Sequence, residues 1–259
     1  MSPPIPTTIP RVAVVTGGAK RLGRAMAIAL AEAGFDLAIH YSASAAEAEA
    51  VAGEIRGRGR QAVALRAELT REEDVARLLP EAAAALGPVG VLINNASTFV
   101  RDEWHDVTRA SWDLHIEPNL RAPFVLAQAF ARALPKGCEG VVVNMLDQRV
   151  WSLTPHFVSY TVSKAGLWTL TQSLALALAP RIRVNAIGPG PALPSPRQSQ
   201  EQFDRQALSV PLRHGTSPEE VARALLAILS LPSMTGQMIA LDGGQHLQWS
   251  PSHGTEPEE

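Results

Sequence analysis

One cysteine, Cys138, stands in 259 residues. A single thiol excludes an intrachain disulfide and any cluster of thiolate ligands, and it fits a reducing compartment. Apolar runs of 18 residues are absent, and the opening MSPPIPTTIP lacks the basic segment and small-residue cleavage site of a secretory signal. The expectation is therefore a soluble, cytoplasmic protein with no membrane contact. An excess of positive charge is missing too: 23 Lys and Arg stand against 25 Asp and Glu, a net charge of -2. With no diffuse basic surface for a phosphate backbone to follow, nucleic acid drops out as a partner. Composition breaks and short-period repeats are also lacking, so residues 1–259 read as one domain. A chain of this length removes roughly 70–75% of its unfolded surface from water, and no disulfide or structural metal is needed to hold it.

What the sequence has is an alternation of short β-branched runs with helical patterns. Strands are predicted at 12–16, 36–41, 62–67, 89–94, 140–145, 181–187 and 237–242, and helices fill most gaps, for example 24–34 and 71–86. Several strand runs are apolar without clean alternation, as expected when helices cover both faces of a parallel sheet. The repeated βαβ order gives the fold class: α/β, Rossmann-type and doubly wound. The first ten residues and residues 250–259, rich in Pro, Ser, Gly or Glu, read as loose ends. Residues 189–216 break the tight alternation with Pro, Ser and Gln, which points to a lid or substrate loop.

VVTGGAKRLG closes the first strand, supplies Gly17, Gly18 and Gly23, and enters an Ala-rich helix. Such a turn lets backbone amides approach phosphate oxygens while the helix N-terminus adds positive potential. Lys20 and Arg21 add charge where phosphate is expected. The end of the second strand discriminates between nicotinamide cofactors, because NAD sites commonly place an acid there for the ribose hydroxyls. Here the run is His40, Tyr41, Ser42, Ala43, Ser44, and the first acid is Glu47. A neutral end with donors favours NADP(H), although Ser44 alone reads equally well as a helix cap.

YTVSK at 160–164 places Tyr160 and Lys164 four residues apart on one helical face. A phenol has a reference pKa of about 10, and a nearby ammonium favours the phenolate and eases proton exchange. TGGAKRLG, NNAS at 94–97, Asn119, YTVSK, RVNAIGPG at 183–190 and LDGG at 241–244 together resemble the short-chain dehydrogenase/reductase family over almost the whole chain. The resemblance implies a seven-stranded parallel sheet, commonly assembled as a homotetramer. It makes Tyr160 the proton donor, lets Lys164 bind the nicotinamide ribose, and has Asn119 hold a relay water. It also assigns Arg21, Leu22 and Gly23 to the phosphate turn and Glu68 with Leu69 to the adenine. Asn94, Asn95 and Ala96 become the turn fixing cofactor and sheet, and Pro189 with Gly190 the turn beneath nicotinamide.

One departure narrows the substrate. Most family members place serine thirteen residues before the active tyrosine, whereas this chain has Asp147. A carboxylate beside a hydride donor is costly unless something cationic or hydrogen-bonding uses it. A pterin does, since its pyrazine nitrogen gains a proton as the adjacent carbon receives hydride. Arg21, Ser97, Phe99, Asp147, Tyr160 and Lys164 together resemble the pteridine reductase branch, and LDGGQHL its bacterial dihydromonapterin reductases. That likeness implies Phe99 stacking on the pterin, Ser97 and Arg21 touching pterin and cofactor phosphate, and Asp147 sharing proton delivery with Tyr160. Trp151, Pro155, His156 and Phe157 are candidates for the side-chain end of the pocket. A carbonyl reductase acting on a 3-oxoacyl thioester or small ketone, and a non-catalytic NADP-binding scaffold, remain as alternatives.

Overall fold

The computed structural model describes residues 4–195 and 197–248. The elements run β1 (Val12–Val15), α1 (Arg21–Glu32), β2 (Asp36–Tyr41), α2 (Ala45–Gly57), β3 (Ala62–Arg66), α3 (Glu72–Leu86), β4 (Val91–Asn94), α4 (Arg109–Ile116), α5 (Ala122–Ala133), β5 (Gly140–Met145), α6 (Val158–Leu178), β6 (Ile182–Pro189), α7 (Gln200–Ser209), α8 (Pro218–Ser230) and β7 (Met238–Leu241). All seven strands pair in parallel, in the order β3-β2-β1-β4-β5-β6-β7. Each expected strand is present within about two residues of its predicted bounds.

The absence of alternation has its cause in two cores. On β1, Ala13 and Val15 enter one core with α1, α2 and α8, while Val12 and Val14 enter the other with α3 and α5. Every β1 side chain is consequently buried, the condition of a strand covered on both faces. Between α4 and α5 the chain makes a π-helical turn, Glu117–Arg121. Pro118 and Pro123 lack the N–H groups that a continuous α-helix would use here, and the wider turn is the result.

Two expectations change. Residues 4–10 are not loose: Ile9 is 1% exposed in the first core, Thr8 O accepts from Glu139 N–H, and Arg11 Nη2 donates to Ile5 O at 2.9 Å. Isolated Ile side chains between prolines were enough to anchor the strand that follows. The loose C-terminal end expected over 250–259 lies outside the described residues. Within 189–216 the chain forms α7, whose start is fixed by reciprocal bonds between Ser199 and Gln202, a capping box legible in S-Q-E-Q. Among the described residues no helix is long and apolar enough to cross a membrane.

α7 buries none of its residues, whereas the base of the segment is held by Thr216 N–H to Pro191 O at 2.9 Å and Leu212 N–H to Gly243 O at 3.0 Å. Amide exchange is expected to be fast across 197–209 in the free protein and to slow when NADPH and a pterin are added, with 210–216 protected throughout. Equal protection of α7 in both states would make it a permanently packed insertion instead of a lid.

Candidate active site

The chain leaves β1 for β2 on one side and returns to β4 on the other, so a crevice opens beyond the carboxyl ends of these strands. Its floor is the glycine turn. Gly17 adopts φ +61°, and a Cβ on Gly23 would lie 2.2 Å from Gly17 O and 2.6 Å from Asn95 Nδ2. Only hydrogen fits at Gly23, and the close approach leaves the backbone open to the crevice. No side chain caps the first turn of α1, so its amides remain available to an anion.

Asn95 fastens this turn to β4: Nδ2 donates to Thr16 O at 2.8 Å and Gly17 O at 3.1 Å, and Thr16 Oγ1 accepts from the amides of Asn95 and Ala96. Asn94 Nδ2 meets Asn144 Oδ1 at 2.8 Å, tying β4 to β5. The cleft above, about 580 Å³, is lined by Gly17, Lys20, Arg21, Leu22 and Gly23 on one side. Glu68, Leu69, Asn95, Ala96 and Ser97 line the other.

The end of β2 is more mixed than expected. Ser42 faces the cleft and donates to Glu68 Oε2 at 2.8 Å. Burial alone would push the Glu68 carboxyl up, but hydrogen bonds from Ser42 and Thr70 outweigh it and hold it below its usual value. His40 borders the same cleft, yet it serves first as a strut: Gly17 N–H donates to Nδ1 at 3.0 Å, and Nε2 lies 3.0 Å from Ala67 O. Burial lowers its pKa, against the Ala67 bond and the Glu68 charge, and the ring is neutral with its proton on Nε2. Tyr41 packs against the first core instead of facing the cleft. Ser44 precedes α2 without capping it and stands outside the cleft wall. Lys20 pairs with Glu47 at 2.7 Å across the rim.

A second chamber of about 280 Å³ adjoins the first and shares Arg21, Leu22, Asn95 and Ser97 with it. Tyr160, Lys164, Asp147, Phe99, Pro189 and Gly190 line it. Tyr160 donates its phenolic hydrogen to Asp147 Oδ2 at 2.9 Å. Lys164, 2% exposed, donates to Met145 O at 2.8 Å, and its Nζ lies 5.7 Å from the Tyr160 ring centre. Burial pulls the ammonium down to about 8, with Asp147 acting in the opposite sense. Phe99 stacks on Phe157 at 4.7 Å and meets Tyr160 edge-on at 4.6 Å.

Asn119 sits in the π turn at 1% exposure. Its amide is already engaged, with Thr98 N–H donating to Oδ1 and Nδ2 donating to Thr98 O and Ser163 Oγ. Both hydrogens of the Asn119 amide are thus spent inside the protein, so its side chain could meet a relay water only as an acceptor.

Sequence reasoning missed three parts of this arrangement. Arg149 pairs with Asp147 and lies beside the aromatic cluster. A buried chain also sets the start of α6: His115 Nδ1 lies 2.7 Å from Ser159 Oγ, Ser159 bonds Asp102, and Val100 N–H donates to His115 Nε2 at 3.0 Å. Burial depresses the His115 pKa, which keeps that acceptor free and the residue before Tyr160 in place. Third, the outer wall comes from the 189–216 segment: Gln198 and Gln206 line the chamber and bond each other at 2.9 Å. Of the four residues expected there, Phe157 is buried behind Phe99, His156 turns to Glu103 at 3.0 Å, and Trp151 contacts Trp168 and His246. None of these three, nor Pro155, borders the chamber.

A glycine turn at the switch point of a seven-stranded parallel sheet, facing a buried tyrosine and lysine one helical turn apart, defines a short-chain dehydrogenase/reductase, and the chain belongs to that family. Residues 17–246 match the family described as Enoyl-(Acyl carrier protein) reductase. Among solved structures the chain is similar to FolM alternative dihydrofolate reductase 1 from Brucella canis complexed with NADP. The TM-score is 0.91 at 46% identity, covering 96% of this chain and 98% of that one. The Brucella suis protein of the same name, also complexed with NADP, gives 0.90 at 48% identity over 93% and 96%. A curated relative, 3-oxoacyl-(acyl-carrier-protein) reductase FabG of Staphylococcus epidermidis, is 30% identical over 240 residues, 91% of this chain and 98% of that protein.

Proposed function

We propose that this chain reduces a dihydropterin, 7,8-dihydromonapterin or a close relative, to its tetrahydro form. The broader class is an NADPH-dependent short-chain reductase acting on a pterin. The observation that carries the reading is the Asp147 carboxylate on the Tyr160 hydroxyl at 2.9 Å, beside Phe99. A carboxylate there serves a substrate nitrogen that must be protonated, and a carbonyl oxygen has no use for it.

The cleft fits the cofactor: the glycine cradle and the uncapped helix start would hold the pyrophosphate, and Ser42 with Lys20, which line the cleft, would hold the adenosine ribose. When bound, NADPH supplies the hydride to the electrophilic carbon of the C=N bond. The protein's own residues do the rest. Phe99 would offer a flat face to the bicyclic ring, and Tyr160 and Asp147 together would supply the proton to the adjacent nitrogen, the phenolic hydrogen passing by way of the carboxylate that already accepts it. Lys164 would orient the nicotinamide ribose, Pro189 and Gly190 would support the nicotinamide, and Ser97 with Arg21 would contact pterin and phosphate, since all five line the second chamber. By family resemblance the assembled form is a homotetramer, and the lone unpaired cysteine supports a cytoplasmic setting.

A second reading, reduction of a 3-oxoacyl thioester, draws on the Staphylococcus relative and the family description. It sits less well with Asp147 and with the higher identity to the Brucella proteins. Steady-state assays on 7,8-dihydromonapterin, dihydrofolate and a 3-oxoacyl thioester separate the two. With the dihydropterin, efficiency with NADPH is expected to exceed that with NADH by at least about tenfold, roughly 1.4 kcal/mol of transition-state stabilisation. Equal efficiencies would remove the neutral end of β2 as the determinant of cofactor choice.

A further inference from the structure

Asp147 poses a problem that the substrate alone does not solve. Its side chain is 17% exposed and shares a chamber with a phenol and apolar rings, and a carboxylate in such surroundings is stable only with fixed partners. Arg149, two residues on, grips both of its oxygens. The Arg149 N–H donates to Oδ1 at 2.8 Å, and Nη1 reaches Oδ2 at 3.4 Å, the same oxygen that receives the Tyr160 hydroxyl. The short 3₁₀ turn Gln148–Val150 makes this possible, because Asp147 is its N-cap and folds back on the residue that follows the next.

The guanidinium is itself held. Its central carbon lies 5.3 Å from the Phe99 ring centre, 5.1 Å from Phe157 and 5.9 Å from Tyr160, and its side chain is only 14% exposed. Three rings around one planar cation fix its position, and a lysine has neither the plane nor the fork to use them in the same way. Of the chamber's other cations, Lys164 is committed to Met145 O and Arg21 to the carbonyls of Pro194 and Leu193.

We propose that Arg149 is a positioning residue for the reduction. It acts through Asp147: clamped among Phe99, Phe157 and Tyr160, it holds the carboxylate rotated so that Oδ2 stays in line to take the phenolic proton and pass it on to the substrate nitrogen. It also locks the aromatic wall on which the substrate stacks, so one side chain sets both the proton path and the binding face. This rests on the pterin reading above.

The test uses the full chain with NADPH and 7,8-dihydromonapterin. Arg149→Met is expected to keep NADPH affinity within about threefold of wild type and to lower kcat about 100-fold, the scale of a misplacement near 1 Å, while KM for the pterin moves much less. Arg149→Ala should lose a similar amount and regain at least about tenfold on addition of guanidinium chloride at concentrations that leave the fold intact. A merely structural role would not give that recovery. Should the alanine variant fail to fold, Arg149→Lys carries the test, with kcat expected between those of methionine and arginine. A methionine variant with wild-type kcat, a fall in pterin KM at unchanged kcat, or an alanine variant that guanidinium does not rescue would each overturn the inference. A wild-type protein that turns over no pterin would instead sink the functional reading and leave the clamp geometry untouched.

Discussion

Tyr160→Phe is expected to bind NADPH as the parent chain does and to lose about 10²- to 10⁴-fold in turnover, the range ascribed to one well-placed proton donor. The ring is part of a wall with Phe99 and Arg149, and phenylalanine preserves that packing, so the loss isolates the hydroxyl. What disappears is the bond to Asp147 Oδ2 and with it the only hydroxyl that the structure aims at this carboxylate among the described residues. Equilibrium binding by cofactor fluorescence and single-turnover kinetics separate the two effects. Wild-type turnover in this variant would take Tyr160 out of the reaction.

Asp147→Ser should give opposite signs on two substrates. With a dihydropterin, turnover is expected to fall by at least about tenfold, because serine donates a hydrogen bond but supplies no carboxylate to hold the phenol or to carry charge beside the nitrogen. With a 3-oxoacyl thioester or small ketone the same change installs the group that polarises a carbonyl oxygen in most of the family, and reduction should improve. The substitution also frees Arg149 from its ion pair, which makes the loss on the pterin larger than that of the carboxylate alone. Undiminished dihydropterin reduction together with a gain on the ketone would transfer the assignment to the carbonyl reductases.

The strands were legible because burial on both faces leaves a simple mark, short β-branched runs between helical ones, and the parallel order follows from the helices between them. The glycine turn, Tyr160 and Lys164 were legible for a similar reason: their chemistry depends on spacing within one element. Arg149 was not, since its importance comes from three rings contributed by residues 99, 157 and 160, brought together only by the fold. His40 borders the cleft, but its structural task was not legible. Polar residues at the end of β2 suggested donors for the cofactor, and nothing in the run showed that this ring also bonds two backbone groups of its own protein. Tyr41 and Ser44 belong to the same polar run, and the strand's alternation together with the entry into α2 turned them elsewhere. The quiet Ile5 and Ile9 among prolines carried no periodicity at all, and only the groove they fill explains why the N-terminal stretch is ordered.

Arg21 gives the two chambers a common fate. It stands in the left-handed region at φ +51°, opens α1, and sends its guanidinium across to the carbonyls of Pro194 and Leu193 at 2.9 and 3.2 Å. An anion at the glycine turn would meet a cation already bonded to the 189–216 segment, which walls the second chamber. If filling one chamber displaces Arg21, it changes the free energy of filling the other, and by linkage the two changes are equal.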